Sequence, residues 1–307
     1  MFTEALNFDI VQVELNDVFY PRFDELETIP SLAKATTGEL FKPVETDYAA
    51  QIEMVFAGAG LFPQIGETVT VPSNNPAVRN KLTTYVLDFA SSIPLSKDLF
   101  DDNHHNVWAE AVRDFADKAK ATQDWNSFKV IRGAFGTTLG ADGVSLINAS
   151  HPLIGGGTAS NLVTGGITSD NINSAVVSLM QQVDQKGVIR GNVPYIFLVP
   201  PQQFKVAIEQ TQSALLSDTA NNTINFFRSE MGMMVMMSPW MGAAAGGSDT
   251  AWFLLARNHG IRRLIRQGVE TALTPWQYST NRTYNYQANF RENAYAIDWA
   301  GSVGSTG

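Results

Sequence analysis

The stretch from residue 139 to residue 152, LGADGVSLINASHP, separates two differently organised parts of the chain. This stretch comes after a segment with a helical pattern. It leads into a loop dense in Gly, Ser, Thr and Asn that extends to Ser169. Beyond this loop, helical and strand-like segments are mixed without a regular βαβ repeat. The sequence therefore predicts an α+β fold rather than a doubly wound parallel sheet.

A long amphipathic helix is predicted on the N-terminal side of this stretch. Ser96 can cap the helix, and the acidic side chains in or near its first turn would stabilise the positive end of the helix dipole. The helix is expected to extend to Ala121 or beyond. Its inward face carries apolar residues, spaced by three or four from Trp108 onward: Leu99, Trp108, Val112, Phe115 and Ala119.

A β-hairpin is predicted before this helix. Residues 67–71 alternate as a strand does, prolines then interrupt the pattern, and residues 81–89 are again rich in Thr, Tyr, Val and Leu. The flanking segments, rich in Gly on one side and containing Ser-Ser-Ile-Pro on the other, are typical of flexible joints. We therefore expect the hairpin to project from the body of the protein.

The first 50 residues carry ten acidic side chains and only three basic ones, and their apolar positions show no clean period. They predict an extended N-terminal arm that is ordered only if it lies on another subunit or on its own body.

Charged side chains are distributed unevenly between the two halves of the chain. Residues 1–150 hold 11 basic and 21 acidic side chains, a net charge of −10, whereas residues 151–307 hold 10 and 9, a net charge of +1. Such complementary halves can attract each other between copies.

The second half of the chain contains short, mixed elements. A helix capped by Ser169 or Asp170 is predicted at 170–185, a buried strand at 195–199 and a helix at 203–216. The further strand-like runs lie at 233–237, 251–256, 261–266 and 283–299.

The composition excludes several classes of protein. The 307 residues include no cysteine, which removes disulfide scaffolds, zinc–thiolate sites, iron–sulfur clusters and thiol nucleophiles. Only 17% of the residues are charged, which suggests that much of the surface meets other protein. The net charge of −9 argues against a protein whose main task is to neutralise nucleic-acid phosphates. With no evident signal peptide or membrane span, a cytoplasmic origin is expected.

Motifs of P-loop, zinc-protease, hydrolase and dinucleotide-binding proteins are absent, and the sequence predicts no cofactor. His151 and His259 could each act as general base for a serine, but nothing local orients them, so structural roles are favoured. Asp101 and His105 could share a metal ion at a helical spacing of four. A solvated helix start is the favoured interpretation of that cluster.

Candidate contacts between subunits come from a cationic segment, a Met-rich segment and the hairpin. The arginines between residues 257 and 266 could bind phosphate, but salt bridges to the acidic half of another copy are favoured. Six of the nine methionines lie between residues 231 and 241, a pattern equally consistent with an adaptable interface and a core strand. The residues predicted to contact another subunit are Arg79, Lys81, Met233, Met236, Arg257, Arg262, Arg263 and Arg266.

An ordered set of segments over about residues 90–300 resembles the major capsid proteins of tailed bacteriophages, in particular the Mu-like major head subunit group. The segments that carry the resemblance are 139–152, the glycines at 155–157 with Asn161, Leu198 to Pro201 leading into a helix with Ala207, Asn221 to Thr223, Ser238 to Trp240, and Trp252 to Leu254.

The resemblance implies the Hong Kong 97-like capsid fold and a protein that is not an enzyme. Pentamers and hexamers of such a subunit would form an icosahedral head around double-stranded DNA, so the protein would be found in the virion after assembly in the bacterial cytoplasm. The parts implied are an N-terminal arm at 1–51, an extended loop hairpin at 52–92, a peripheral domain with a spine helix at 93–164, an axial domain at 165–276 and a return strand to the peripheral domain at 277–307.

The resemblance also implies partners: other copies of the chain, a scaffolding protein, a portal, a maturation protease and a decoration protein. Contact with the packaged DNA is expected to be weak and nonspecific, and no membrane is involved. Some relatives form a Lys–Asn cross-link; Lys81 is the only lysine of the hairpin, and no cross-link is predicted. Two alternatives remain: an encapsulin-type compartment shell, and a cytoplasmic Ser/His hydrolase.

Overall fold

A computed structural model describes residues 2–28, 40–56, 58, 60–65, 67, 70–71, 73, 78–98, 105–214, 224–279 and 281–307. The α-helices of these residues are α1 (Phe2–Thr28), α2 (His105–Arg132), α3 (Ser169–Met180) and α4 (Phe204–Gln212). Short 3₁₀ turns lie at Pro201–Gln203, Pro239–Met241, Ala243–Ala245 and Trp276–Tyr278, and a π turn lies at Phe227–Met231.

The strands are β1 (Lys42–Glu45), β2 (Ala50–Phe56), β3 (Val78–Tyr85), β4 (Leu87–Ser96), β5 (His151–Pro152), β6 (Thr158–Ala159), β7 (Leu162–Val163), β8 (Pro194–Val199), β9 (Met234–Met237), β10 (Trp252–Ala256), β11 (Ile261–Thr274), β12 (Thr283–Ala296) and β13 (Ser302–Ser305). A four-stranded sheet has the order β1-β11-β12-β4, and a five-stranded sheet has the order β7-β13-β10-β8-β9. β2 pairs with β3, and β5 pairs with β6. The mixture of helix and sheet predicted from the sequence is confirmed.

The long helix α2 lies on the four-stranded sheet. The predicted inward residues Trp108, Val112 and Phe115 are buried together with Tyr286 of β12 and Leu273 of β11. The helix begins at His105 and not at Ser96, because Ser96 pairs with β12 as the last residue of β4. Residues 101–104, including the acidic part of the proposed metal cluster, lie outside the described residues, as do Leu99 and the side chain of His105.

The prediction of an extended conformation is wrong for the start of the chain, because residues 2–28 form helix α1. Three residues at a spacing of four, Leu15, Phe19 and Phe23, form a buried stripe against α2 and the sheet. Phe19 contacts the rings of Phe115 and Tyr286, with centroids 6.0 and 6.1 Å apart. The N-terminal segment is therefore ordered because it packs on the rest of the same chain.

The hairpin agrees only in part with the predicted strands. Its first strand is β2 at 50–56 and not 67–71, whereas its second strand, β3, shares residues 81–85 with the predicted second strand. The described positions 67, 70 and 71 do not belong to a strand. Gln51 and Glu53 occupy inward positions of β2, so the alternation of polar and apolar residues is reversed relative to an ordinary amphipathic strand.

The five-stranded sheet is covered by α3 and α4. The predicted buried strand at 195–199 is confirmed as β8, and the apolar residues of α3 are buried against β8 and β10. Helix α3 ends at Met180, earlier than predicted, and its cap is Thr168, whose hydroxyl accepts from the Asn171 backbone N–H at 3.3 Å. Helix α4 ends at Gln212.

The segment 277–307, predicted as a single returning strand, is divided between the two sheets. β12 pairs with β11 and β4, whereas β13 pairs with β10. The connection from β12 to β13 runs beside the connection from β10 to β11. The Ala256 N–H donates to the Gly301 carbonyl at 2.8 Å, and the Ile297 N–H donates to the Gly260 carbonyl at 3.0 Å. Gly260 has no room for a side chain, since a Cβ would lie 2.7 Å from the Asp298 carbonyl oxygen.

The loop that opened the sequence analysis is held by a buried polar network around Asn161. The Asn161 amide donates to the carbonyls of Leu146 (2.8 Å) and Ser302 (3.1 Å), and its Oδ1 accepts from the Asn148 N–H at 2.8 Å. His151, fully buried, lies between Asn161 Oδ1 (3.1 Å) and Asp142 Oδ2 (2.7 Å). The network joins the loop to the end of the chain.

We predict that Phe19→Ala lowers the free energy of unfolding by about 3–5 kcal/mol, since it removes a fully buried ring from the contact between α1 and α2. Chemical denaturation followed by circular dichroism measures the effect. Val13→Ala, at an exposed position of the same helix, should change stability by less than about 0.5 kcal/mol. Equal effects of the two substitutions would contradict the packing of α1 on the body.

Asn161→Ala is predicted to cost about 2–5 kcal/mol, because it leaves several buried donors and acceptors of the loop without partners. Thermal unfolding and hydrogen exchange of residues 139–163 report the loss. The matched control is Asn171→Ala, whose amide makes one hydrogen bond at the surface, to the Gly166 carbonyl. A loop that exchanges no faster in the Asn161 variant than in the control would show that the network does not order it.

Candidate functional site

The arginines predicted as a cluster have different environments. Arg262, Arg263 and Arg266 lie on β11, and Arg257 lies in the connection before it. Lys81 is exposed on β3, opposite Met54 of β2. Arg79 also lies on β3, but its side chain is outside the described part of the chain. The structure thus brings together the hairpin and β11, rather than all of these cations.

Arg262 is bound within its own chain. Its Nη1 donates to Oε1 of Glu53 in the hairpin at 2.6 Å, and the Tyr295 hydroxyl donates to the same oxygen at 2.9 Å. Lys42, the residue that pairs with Arg262 in the parallel strand β1, donates to the His259 carbonyl at 3.2 Å. Burial and the neighbouring Arg262 charge lower the pKa of Lys42.

Arg263 forms a buried ion pair with Glu292 of β12. Its Nε and Nη2 lie 3.0 and 2.5 Å from the same carboxylate oxygen, and the Glu292 side chain is almost fully buried. Burial raises the pKa of Glu292, and the Arg263 charge opposes that shift only in part. This pair lies beneath α2. Arg263 therefore neutralises a buried carboxylate of the sheet and does not lie on an outer surface.

Arg257 and Arg266 are the cations of the cluster that have no carboxylate within 4.0 Å among the described residues. The guanidinium of Arg257 stacks on the Tyr195 ring at 4.5 Å from its centroid and is exposed. These two arginines remain available for another subunit or for a polyanion.

Met233 and Met236 are buried in the two halves of the protein core. Met236 packs with β8 and β10 on one side of the five-stranded sheet, and Met233 packs on the other side near Phe227. These two methionines therefore pack in the core and do not make the predicted contact with another subunit, because a buried side chain offers no surface to a partner.

An exposed apolar surface lies on the hairpin. Ile52, Met54 and Phe56 alternate along the more exposed side of β2 and are 49, 50 and 59% exposed. Beyond them, Phe62 is 90% exposed. Sequence reasoning missed this surface, which we call the outer hairpin face (Ile52, Met54, Phe56). The alternation of polar with apolar residues at 51–54 was the available signal.

The two histidines considered as general bases are both buried. Both ring nitrogens of His151 face oxygen atoms of Asp142 and Asn161, and its ring stacks on Trp299 at 4.6 Å. His259 Nδ1 accepts from the Ile261 N–H at 3.3 Å. Neither ring is presented to a serine in a cleft, so these contacts disfavour the hydrolase alternative.

The described part of the chain contains no group of three or more His, Asp or Glu side chains suited to a metal ion. None of its helices has both the length and the apolar character of a membrane span. What it does present is the outer hairpin face, held to the sheet through Glu53 and Arg262.

Solved structures with a similar fold are shells of several kinds. The capsid of an empty GTA particle is 14% identical, with a TM-score of 0.56 and 89% of each chain covered. The Microbacterium phage Oxtober96 structure is 13% identical, with a TM-score of 0.54 and 87% of this chain and 88% of that chain covered. The SrpI encapsulin complex from Synechococcus elongatus PCC 7942 is 12% identical, with a TM-score of 0.51 and 91% and 88% covered.

No curated protein sequence matches the chain. The family model described as phage capsid protein matches residues 80–303, which is more than half of the chain. The match includes β4, α2, the strands β8 to β12 and the loop held by Asn161. The chain therefore belongs to the phage capsid protein family.

Proposed function

We propose that the protein is a major capsid subunit that assembles as pentamers and hexamers into an icosahedral head around double-stranded DNA. The observation that carries the proposal is the outer hairpin face, exposed on a chain of the phage capsid family. A two-stranded ribbon is marginally stable alone, and exposed apolar patches mark surfaces that bind protein. A second copy of the chain would cover this face.

The parts of the Hong Kong 97-like fold are assigned on this basis. We take β2 and β3 as the extended loop, α2 as the spine helix, the four-stranded sheet as peripheral and the five-stranded sheet as axial. The sequence boundaries at 164 and 276 do not divide the two sheets: β11, within 165–276, belongs with the peripheral sheet, whereas β7 and β13, outside that range, belong with the axial sheet. Membership of the Mu-like group rests on the motif at 139–152 with Asn161.

The biological setting is proposed from the family. Scaffolding protein, portal, maturation protease and decoration protein would act on the assembling shell in the bacterial cytoplasm, and the finished protein would be part of the virion. The absence of enzymatic activity belongs to the same proposal. It is supported by the buried environments of His151 and His259, which leave neither ring poised for catalysis.

An encapsulin-type compartment shell is the second candidate. It is favoured by the similarity to the SrpI encapsulin complex over 91% of this chain. The two candidates differ in their contents, since a phage head would hold nuclease-protected DNA and a compartment would hold a protein cargo. Analysis of purified native particles for DNA and for copurifying protein separates them.

The double substitution Met54→Asp and Phe56→Asp is predicted to reduce the yield of shells at least about tenfold, because two apolar side chains lose their buried contacts in the assembly. Light scattering and electron microscopy measure the yield, and the monomer should unfold at the wild-type temperature. The control is Tyr278→Asp, an exposed aromatic residue on a turn outside the hairpin. Wild-type protein that stays monomeric with and without scaffold would contradict the proposed function.

Arg257→Gln with Arg266→Gln tests whether the remaining cations face DNA. We predict normal shells with less packaged DNA, since neither arginine has a carboxylate partner in the described residues and each would neutralise a phosphate. The DNA content per particle is measured by absorbance, with Lys205→Gln, a highly exposed lysine, as control. Loss of assembly with unchanged DNA per remaining shell would instead place these arginines between subunits.

A further inference from the structure

The inner side of the hairpin is joined to the body by a buried carboxylate. Glu53 lies on β2 between Ile52 and Met54, and its side chain points in the opposite direction from theirs. Its Oε1 accepts from Arg262 on β11 and from Tyr295 on β12. One oxygen atom thus contacts both central strands of the four-stranded sheet, and at the base of the hairpin the Asn293 amide of β12 also donates to the Tyr85 carbonyl of β3 at 2.6 Å.

The Glu53 end of this connection is shielded from water. The Glu53 side chain is only 11% exposed, and its second oxygen, Oε2, is buried without a hydrogen-bond partner in the described part of the chain. Burial and the neighbouring Glu53 carboxylate raise the pKa of Tyr295 above its ordinary value. The Tyr295 hydroxyl therefore keeps its proton, and with it its role as donor, throughout the neutral range.

Packing around Glu53 is limited to the base of the hairpin. Val55 and Leu82 contact the small apolar cluster of Leu264, Tyr295 and Ile297. Two cavities lie between the hairpin and the body: one of about 490 Å³ lined by Glu53, Phe56 and Arg262, and one of about 360 Å³ beside Phe56 and Gly58. Beyond Phe56 the chain approaches the body again at Gly58, where a Cβ would lie 2.8 Å from Asp184 Oδ2. Because the cavities leave few apolar contacts between the base and Gly58, the directional contact made by Glu53 restricts the angle of the hairpin.

The apolar contacts and the Glu53 carboxylate differ in how strongly they can restrict the orientation of the hairpin. Apolar contacts are non-directional and tolerate some rotation of the ribbon. A buried carboxylate has a desolvation cost that is offset only when its hydrogen bonds are well aligned. Since Oε2 has no partner, the ion pair adds little net stability, yet the alignment of Oε1 with Arg262 and Tyr295 permits few orientations.

We propose that Glu53 is a positioning residue: through Arg262 and Tyr295 it fixes the angle between the hairpin and the four-stranded sheet. It thereby presents the outer hairpin face to a second copy of the chain in one orientation. The proposal rests on the proposed function, in which that face contacts another copy. It assigns Arg262 a role inside the subunit, where the sequence predicted a contact between subunits.

The angle can be measured directly, because the chain has no cysteine and introduced cysteines will carry the only labels. Thr83→Cys on the exposed side of β3 and Ala272→Cys on β11 place one spin label on the hairpin and one on the sheet. Pulsed electron spin resonance on unassembled subunits then gives the distance distribution between the labels. Shell yield is measured on the same variants without labels.

Three substitutions are compared on this background. Glu53→Ala should broaden the distance distribution and lower shell yield, with little change in unfolding temperature. Glu53→Gln retains an acceptor oxygen for Arg262 and Tyr295 and should restore much of the narrow distribution. Glu45→Gln, a carboxylate exposed on β1, should match the wild type in distance and yield.

The outcomes separate the two proposals. An unchanged distance distribution in Glu53→Ala would overturn the positioning role, and so would a broadened distribution with wild-type shell yield. Broadening together with lost yield, and recovery of both in Glu53→Gln, would support it. If wild-type subunits form no shells under any condition, the proposed function fails, and the distances alone decide whether Glu53 sets the angle.

Discussion

The antiparallel pairing of β11 with β12 is the contact on which the rest of the fold depends. Both strands span 14 residues, and their pairing runs from Ile261 opposite Ala296 to Thr274 opposite Asn285. One end of the pair carries α1 and α2, and the other end holds the buried pair of Arg263 with Glu292 and receives the hairpin. The pairings of β11 with β1 and of β12 with β4 then place elements from the first hundred residues on the same platform.

Local sequence patterns predicted the parts of this platform that bury a regular apolar face. Helix α2 and strand β8 could be found because their apolar residues recur with the period of a helix or form a short continuous run. Helix α1 could not be found in this way, because its apolar stripe of Leu15, Phe19 and Phe23 is narrow. This stripe is buried only by the aromatic rings of α2 and β12. Tertiary packing decided its conformation.

The candidate site was predictable only in part, for a related reason. The sequence identified β11 as a cationic segment, but the side chains that pair with Arg262 and Arg263 lie 209 and 29 residues away. The direction in which these side chains point follows from the pleat of each strand and from the order of strands in the sheet. A local sequence pattern does not contain the order of the strands. The same holds for Met233 and Met236, which are both buried because both sides of the five-stranded sheet are covered.

Two of the backbone connections between the sheets run side by side, near Gly260 and near Gly301. A single crossing would allow rotation about itself, whereas two crossings bonded to each other resist rotation of one sheet relative to the other. A force applied to the five-stranded sheet is therefore transmitted to β11 and β12 through both segments together. We expect the two sheets to turn as one body when a neighbouring molecule pulls on either of them.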